Sequence, residues 1–142
     1  MSDKYFLDTN IFVYSFDNSA PDKKACALSL IRTALDSGSG VISTQVIQEF
    51  LNVATRKFAV PMTIEDGKTY VRQVLNPLCE VYPDLSLYET CLDIKAETGF
   101  SFYDSLIVTG AVKAGCTILY SEDMQVGRVV RGVKIVNPFL IP

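Results

Sequence analysis

Acidic side chains stand in this sequence at positions where α/β proteins commonly build a site. Asp8 follows the short apolar stretch that begins at Lys4, and Thr9 and Asn10 come directly after it. Open α/β sheets usually bind ligands at the carboxyl ends of their strands, so a polar cluster directly after a first strand is a candidate site. Asp8 or Thr9 could instead cap the next helix or form an Asx-turn. The functional interpretation therefore depends on whether other acids reach the same edge of the sheet.

Two further acids lie in segments whose apolar residues recur with helical spacing. Glu49 lies three residues after Val46, at the rim of the apolar face of its helix. Asp104 lies three residues before Ile107, on the inward stripe of a later helix. A charge on that stripe is costly unless it is paired or metal-bound. The structural alternatives are a solvated glutamate and a capping box formed by Ser101 and Asp104.

Another acid follows a late apolar strand, in the sequence Ser121-Glu122-Asp123. Neighbouring side chains point to opposite sides of an extended chain, so the two acids are expected to face different ways. We favour Asp123 over Glu122 as the residue that faces the site, on this alternation alone. A strand-end turn is the structural alternative.

The rest of the composition narrows the chemistry. The chain has no histidine, and its four cysteines are scattered, which argues against Ser-His-Asp triads, imidazole ligands and paired-cysteine zinc sites. A bound metal would have oxygen ligands, which favours Mg²⁺, Mn²⁺ or Ca²⁺. Acids gathered at one edge repel one another. Two hard cations would relieve this repulsion and could activate a water for phosphodiester cleavage.

The charge and apolar content bear on partners and location. A net charge of -3 argues against binding nucleic acid by bulk charge, although bound metals can supply local positive charge. The few candidates for contacts with phosphate are Arg56, Lys57, Arg128, Arg131 and Lys134. Ordinary solvation at the surface is the favoured explanation for these side chains. The first residues have no basic segment followed by an apolar core, so we expect no signal peptide, and no apolar run is long enough to span a bilayer. The scattered cysteines suit reduced packing in the core, so we expect a cytoplasmic protein.

Predicted strands and helices alternate along the 142 residues, which is the size of one domain. The predicted strands cover about 4–7, 40–43, 79–83, 116–120 and 133–136. The predicted helices cover about 23–35, 44–57, 63–76, 86–99 and 102–114. Ser43 or Thr44 is expected to cap the second helix, and Ser86 and Glu89 match a capping box for the fourth. Strands separated by helices imply parallel pairing, so we predict a single three-layer α/β domain over residues 1–142.

These motifs, in this order, resemble those of the PIN domain family. The resemblance spans roughly residues 4–139. It is carried by Asp8-Thr9-Asn10, Gln48-Glu49-Phe50, Phe102-Tyr103-Asp104-Ser105, Ser121-Glu122-Asp123 and Asn137-Pro138-Phe139. It implies a three-layer α/β/α fold with a central, mainly parallel sheet. It also implies an endoribonuclease that depends on Mg²⁺ or Mn²⁺, most similar to the VapC-type toxins of toxin–antitoxin pairs.

The resemblance also implies residue roles and partners. It assigns catalysis and metal binding to the four acids Asp8, Glu49, Asp104 and Asp123. It assigns the orientation of ligands or substrate to three polar neighbours, Thr9, Asn10 and Ser121. The implied partners are an RNA substrate, a second copy of the chain in a homodimer, and a small antitoxin that reaches into the acidic site.

Two other classes of protein are alternatives to a nuclease. A catalytically silent PIN-like domain would bind RNA or protein without cleaving it, and the presence of all four acids argues against it. A phosphoacceptor receiver domain would have paired acids after the first strand and a lysine after a late strand. Here Thr9 and Asn10 follow Asp8, and Ser121 follows the late strand, so this alternative is disfavoured.

Overall fold

The computed structural model describes residues 3–140, and its centre is a six-stranded sheet with the order β3-β2-β1-β4-β6-β5. The strands are β1 (Tyr5–Leu7), β2 (Gly40–Ser43), β3 (Cys79–Val81), β4 (Ile118–Tyr120), β5 (Val129–Val130) and β6 (Val133–Val136). Every neighbouring pair is parallel except β5 and β6, which are antiparallel. The predicted mainly parallel sheet is confirmed. The predicted domain boundaries at residues 1 and 142 lie outside the described residues.

Helices cover both faces of this sheet. They are α1 (Thr9–Tyr14), α2 (Pro21–Ser37), α3 (Thr44–Arg56), α4 (Ile64–Tyr70), α5 (Asn76–Leu78), α6 (Leu85–Thr98) and α7 (Phe102–Lys113). Gly40 of β2 packs against Ala34 of α2, whereas Phe6 of β1 packs against Gly110 of α7. Phe6 is in register with Val41, and successive residues of a strand alternate between faces, so α2 and α7 lie on opposite sides. The three-layer α/β/α arrangement is therefore confirmed.

Close packing between α2 and β2 explains the glycine at the start of that strand. A Cβ atom on Gly40 would overlap the Cβ of Ala34 and approach the Tyr5 ring to 3.2 Å. The absent side chain lets the helix lie directly on the strand. A similar approach occurs at Gly110, where an added Cβ would lie 3.1 Å from the Phe6 ring.

Most predicted elements occur close to their predicted places, and the ends of the helices differ most. The strands at 40–43 and 133–136 have the predicted bounds. The helix predicted to end near 76 continues through a π-helical turn, Val71–Leu75, into α5. The capping box at Ser86 is wrong, because the Asp84 side chain caps α6 by accepting a hydrogen bond from the Leu87 N–H at 2.7 Å. Ser43 is at the N-cap of α3 but forms no side-chain capping bond.

The topology brings the polar ends of several elements to one edge of the sheet. β1 and β4 are adjacent, and the Asp8 N–H donates to the Tyr120 carbonyl at 3.0 Å. β2 runs directly into α3, which carries Glu49, and α7 begins with the turn that carries Asp104. Within the described part of the chain, no helix combines the length and apolar character needed to cross a bilayer.

Candidate active site

Asp8 lies at the junction between β1 and α1 and is buried. One carboxylate oxygen accepts a hydrogen bond from the Thr9 N–H at 2.7 Å, and the other accepts one from the Ser121 hydroxyl at 2.8 Å. Asp8 therefore caps α1, as the structural alternative predicted. Burial raises the pKa of Asp8 to about 6, against the lowering effect of the hydrogen bonds from Ser121 and Thr9. The nearby charges of Glu49 and Asp104 also raise it.

Glu49 is half-buried on α3, and hydrogen bonds hold both of its carboxylate oxygens. The Thr9 hydroxyl donates to Oε1 at 2.6 Å, and the Gln45 amide donates to Oε2 at 3.1 Å. The same amide nitrogen of Gln45 donates to the Tyr103 carbonyl at 3.1 Å. Glu49 is therefore a fixed group, in contrast to the solvated glutamate that was its structural alternative.

Asp104 lies in the first turn of α7, where the Ser101 hydroxyl accepts a hydrogen bond from the Asp104 N–H at 3.2 Å. The capping alternative is therefore correct for Ser101. The Asp104 side chain lines the same cleft as Asp8, and its charge adds to the field that raises the pKa of Asp8. A capping position and a place in the cleft are thus compatible at this residue.

The two acids after β4 point to different neighbourhoods. Asp123 is exposed, lines the cleft and accepts a short hydrogen bond from the Asn10 amide. Glu122 instead accepts hydrogen bonds from the Tyr14 hydroxyl and the Lys23 ammonium group, both at 2.6 Å. Burial raises the pKa of Glu122, but the hydrogen bonds from Lys23 and Tyr14 outweigh burial, and the net shift is downward. The two neighbouring acids therefore face different ways, as the alternation of side chains along an extended chain predicts.

These side chains form a cleft of about 320 Å³. The predicted residues that line it are Asp8, Thr9, Asn10, Glu49, Asp104 and Asp123. The remaining predicted residue, Ser121, is fully buried and contacts Asp8 through its hydroxyl. The structure thus brings residues from four separate segments of the sequence to one place.

The oxygen atoms of the cleft suit a hard divalent cation, because most of them belong to carboxylates. One of these, Asp8, is buried beside other negative charges, which a bound cation would offset. Over residues 3–140, no three acidic, cysteine or histidine side chains already form a closed metal-binding group. Donors of the chain itself hold the carboxylates of Asp8, Glu49 and Asp123. Mg²⁺ usually keeps several waters and uses one or two carboxylates, so an open acidic cleft fits such an ion.

Sequence reasoning missed Gln45, whose amide donates to Glu49 within α3 and to the Tyr103 carbonyl at the start of α7. Its spacing of four residues before Glu49 places both side chains on one helix face, and this spacing could have identified the pair. The contact with Tyr103 joins residues 58 positions apart, and no local pattern indicates it. Tyr103 itself also lines the cleft.

A family model described as the PIN domain matches residues 5–131 of this chain. The fold is similar to a toxin–antitoxin complex from Klebsiella pneumoniae, at 18% identity and a TM-score of 0.67, covering 97% of this chain and 100% of that chain. It is similar to DNA-bound VapBC from Salmonella typhimurium, at 20% identity and a TM-score of 0.64, covering 94% of this chain and 97% of that chain.

The fold is also similar to VapC20 from Mycobacterium tuberculosis, described as a sarcin-ricin loop cleaving toxin, at 18% identity and a TM-score of 0.56, covering 84% and 90%. At these identities the likeness concerns the fold. A comparison with curated protein sequences found no match.

Proposed function

This chain belongs to the PIN domain family, and from that premise we propose that it is a divalent-metal-dependent endoribonuclease, the toxin of a VapBC-type toxin–antitoxin pair. The observation that carries the proposal is the meeting of four acids, from four separate segments, in one cleft. The buried Asp8 supports it further, because the fold keeps an ionisable group where burial and neighbouring charges oppose its ionisation. Perturbed carboxyls in a cleft are typical of functional sites.

In this proposal Asp8, Glu49, Asp104 and Asp123 hold Mg²⁺ or Mn²⁺ and an RNA phosphodiester binds beside them. When bound, the cation supplies positive charge to the phosphate and lowers the pKa of a water ligand. The roles of three neighbours follow from their hydrogen bonds. The Ser121 hydroxyl orients Asp8, the Thr9 hydroxyl orients Glu49, and the Asn10 amide orients Asp123.

The proposed partners follow from the same site. An acidic cleft attracts a basic side chain, which suits an antitoxin that inhibits by filling it. The solved structures from Klebsiella pneumoniae and Salmonella typhimurium are themselves described as toxin–antitoxin and VapBC assemblies. We also propose a homodimer. The cytoplasmic location stays a prediction, supported by four cysteines that are free in the described structure.

A cleavage assay tests the enzymatic proposal. Purified protein is mixed with single-stranded RNA and with Mg²⁺, Mn²⁺ or chelator, and cleavage is expected only with metal. Asp104→Asn should lower the rate by more than about a hundredfold, because even residues behind the ligands typically contribute 10–100-fold. Asp22→Asn is the matched control, since Asp22 also lies in the first turn of a helix but outside the cleft. Undiminished cleavage by Asp104→Asn would contradict the assignment.

One observation favours a second candidate, a catalytically silent PIN-like module that binds RNA or protein. In the described residues the acids line a cleft without forming a closed metal-binding group. Thermal melts discriminate between the two. For a metal enzyme, Mn²⁺ at about 100 times its dissociation constant should stabilise the wild type by about 2.7 kcal/mol, and Asp8→Asn much less. A wild-type melt indifferent to millimolar Mg²⁺ and Mn²⁺ would favour the silent module.

A further inference from the structure

A second groove lies beside the acidic cleft, between the segment after α1 and the end of α3. Its volume is about 510 Å³, and its walls include Val13, Phe16, Val53, Lys57 and Phe58. Val53 lines both this groove and the acidic cleft, so the two share a wall. We call this second site the flanking groove. Its size falls within the range of about 300–1,000 Å³ that is usual for ligand pockets.

Aromatic rings form one side of the flanking groove. The Phe16 side chain is 39% exposed, and its ring centroid lies 5.5 Å from that of Phe58. Phe16 is supported from behind by Phe50 and Tyr70, at centroid distances of 5.8 and 5.3 Å. This packing fixes the Phe16 ring while leaving part of it open to solvent.

Lys57 lines the same groove, which also contains Asp17, whose carboxylate accepts hydrogen bonds from Ser19. The residue before Lys57, Arg56, donates a hydrogen bond to Asn52 at 3.3 Å. Asn52 in turn lines the acidic cleft. In the part of the chain that the structure describes, neither Arg56 nor Lys57 forms an ion pair with an acid. Two adjacent cations that form no ion pair among the described residues therefore lie at this end of α3, in a chain whose net charge is -3.

We propose that the flanking groove binds the nucleotide next to the scissile phosphate of single-stranded RNA, with its base stacked on Phe16 and its phosphate at Lys57. The inference rests on the proposed function, because the acidic cleft defines where the scissile phosphate lies. Aromatic rings beside a cationic track are the usual elements of single-strand binding. An apolar segment of a protein partner would also contact the rings, but it would supply no negative charge for Lys57.

Binding without cleavage gives the first test. The affinity of a labelled single-stranded oligoribonucleotide is measured in chelator by fluorescence anisotropy. Phe16→Leu keeps an apolar side chain but removes the aromatic face, and it should weaken binding at least about fivefold. Tyr82→Leu, which changes an exposed aromatic residue outside the groove, is the matched control and should bind RNA like the wild type.

The cation is tested separately, with a variant at an exposed position, where the substitution leaves the packed core untouched. Lys57→Gln should reduce the slope of log affinity against log salt by about 0.7, the amount expected for one contact with a single-strand phosphate. Lys95→Gln, at an exposed position on α6, is the control and should leave the slope unchanged.

Cleavage kinetics give the second test. With intact RNA, Phe16→Leu should raise KM and leave kcat close to the wild-type value, because the lost contact is made before and during reaction alike. With an abasic nucleotide next to the scissile bond, wild type and Phe16→Leu should have the same KM. A defect that persists on abasic RNA would overturn base stacking at Phe16.

The outcomes separate this inference from the proposed function. Metal-dependent cleavage by the wild type, together with unchanged RNA affinity in both Phe16→Leu and Lys57→Gln, would overturn the role of the groove and leave the nuclease standing. Absence of wild-type RNA binding and cleavage would overturn both. Unchanged RNA affinity with weakened inhibition by an antitoxin would assign the groove to a protein partner and contradict our proposal.

Discussion

At the scale of single residues, the position of Asp8 in the cleft reduces the stability of the fold, because its carboxyl group is buried. Its pKa is about 6 in the folded protein, compared with an ordinary value of 3.8. Between these values the folded state holds a proton that the unfolded state has lost. Stability from this group is therefore greatest at low pH, and the free energy of unfolding falls as pH rises from about 4 to about 6. The metal-free protein is destabilised by its own carboxylate at neutral pH.

Asp8→Asn should remove this penalty while keeping a residue that caps helices well. In chelator, the free energy of unfolding of the variant relative to the wild type should increase by up to about 3 kcal/mol between pH 4 and pH 7, at about 1.36 kcal/mol per pKa unit. Urea unfolding at several pH values measures it, with Asp22→Asn as the control. A difference that does not change with pH would contradict the burial of an ionisable Asp8.

The neighbours Glu122 and Asp123 should differ in what they contribute. Asp123→Asn is expected to lower metal-dependent cleavage far more than Glu122→Gln, because only Asp123 lines the cleft. Glu122→Gln removes a partly exposed ion pair with Lys23, so it should cost at most about 1 kcal/mol of stability. Parallel measurements of cleavage rate and urea midpoint test both statements. Equal losses of activity would mean that Glu122 also serves the cleft.

At the scale of elements, the start of α6 is capped by Asp84, whereas the sequence pattern predicted a cap at Ser86. Asp84→Ala should lower the free energy of unfolding by about 1 kcal/mol, because it removes the side chain that accepts from the Leu87 N–H. Ser86→Ala, at the predicted cap, should have little effect. Its hydroxyl contacts only the exposed Lys113 side chain among the described residues. Denaturant midpoints of the two variants show which residue caps the helix. A larger loss of stability in Ser86→Ala than in Asp84→Ala would support the capping box at Ser86.

The other differences from the predicted elements also have physical causes. The strand at 40–43 was predictable because it is apolar and follows a turn-forming segment that contains Gly38. Six residues of α1 are too few to show a helical period, and the two residues of β5 are defined only by their pairing with β6. Asp8, Asp104 and Asp123 were visible as acids at the ends of predicted strands and helices, and Glu49 as an acid at the rim of a helix face. The Gln45 contact with Tyr103 was not, because it depends on how α3 and α7 pack.

At the scale of the whole molecule, the exposed apolar residues of α6 lead to a prediction about self-association. Leu85, Tyr88 and Leu92 are exposed along this helix at spacings of three and four residues. Such a stripe suits a contact with a second copy of the chain. Light scattering at micromolar concentration should therefore give twice the mass of one chain for the wild type. For Leu92→Glu it should give the mass of a single chain. Ile64→Glu, at an exposed site on α4, is the control. A monomeric wild type would contradict the homodimer.

The hydrogen bonds around Ser121 have a consequence for the order of events during protein synthesis. Its hydroxyl holds Asp8, while its own N–H donates to the Val136 carbonyl of β6 at 2.9 Å. β6 is translated after all four acids, yet it fixes the residue that orients the first of them. A nascent chain that has already emerged through Asp123 still lacks this support. We therefore expect the cleft to reach this arrangement only after β6 has left the ribosomal exit tunnel and paired with β4, late in translation.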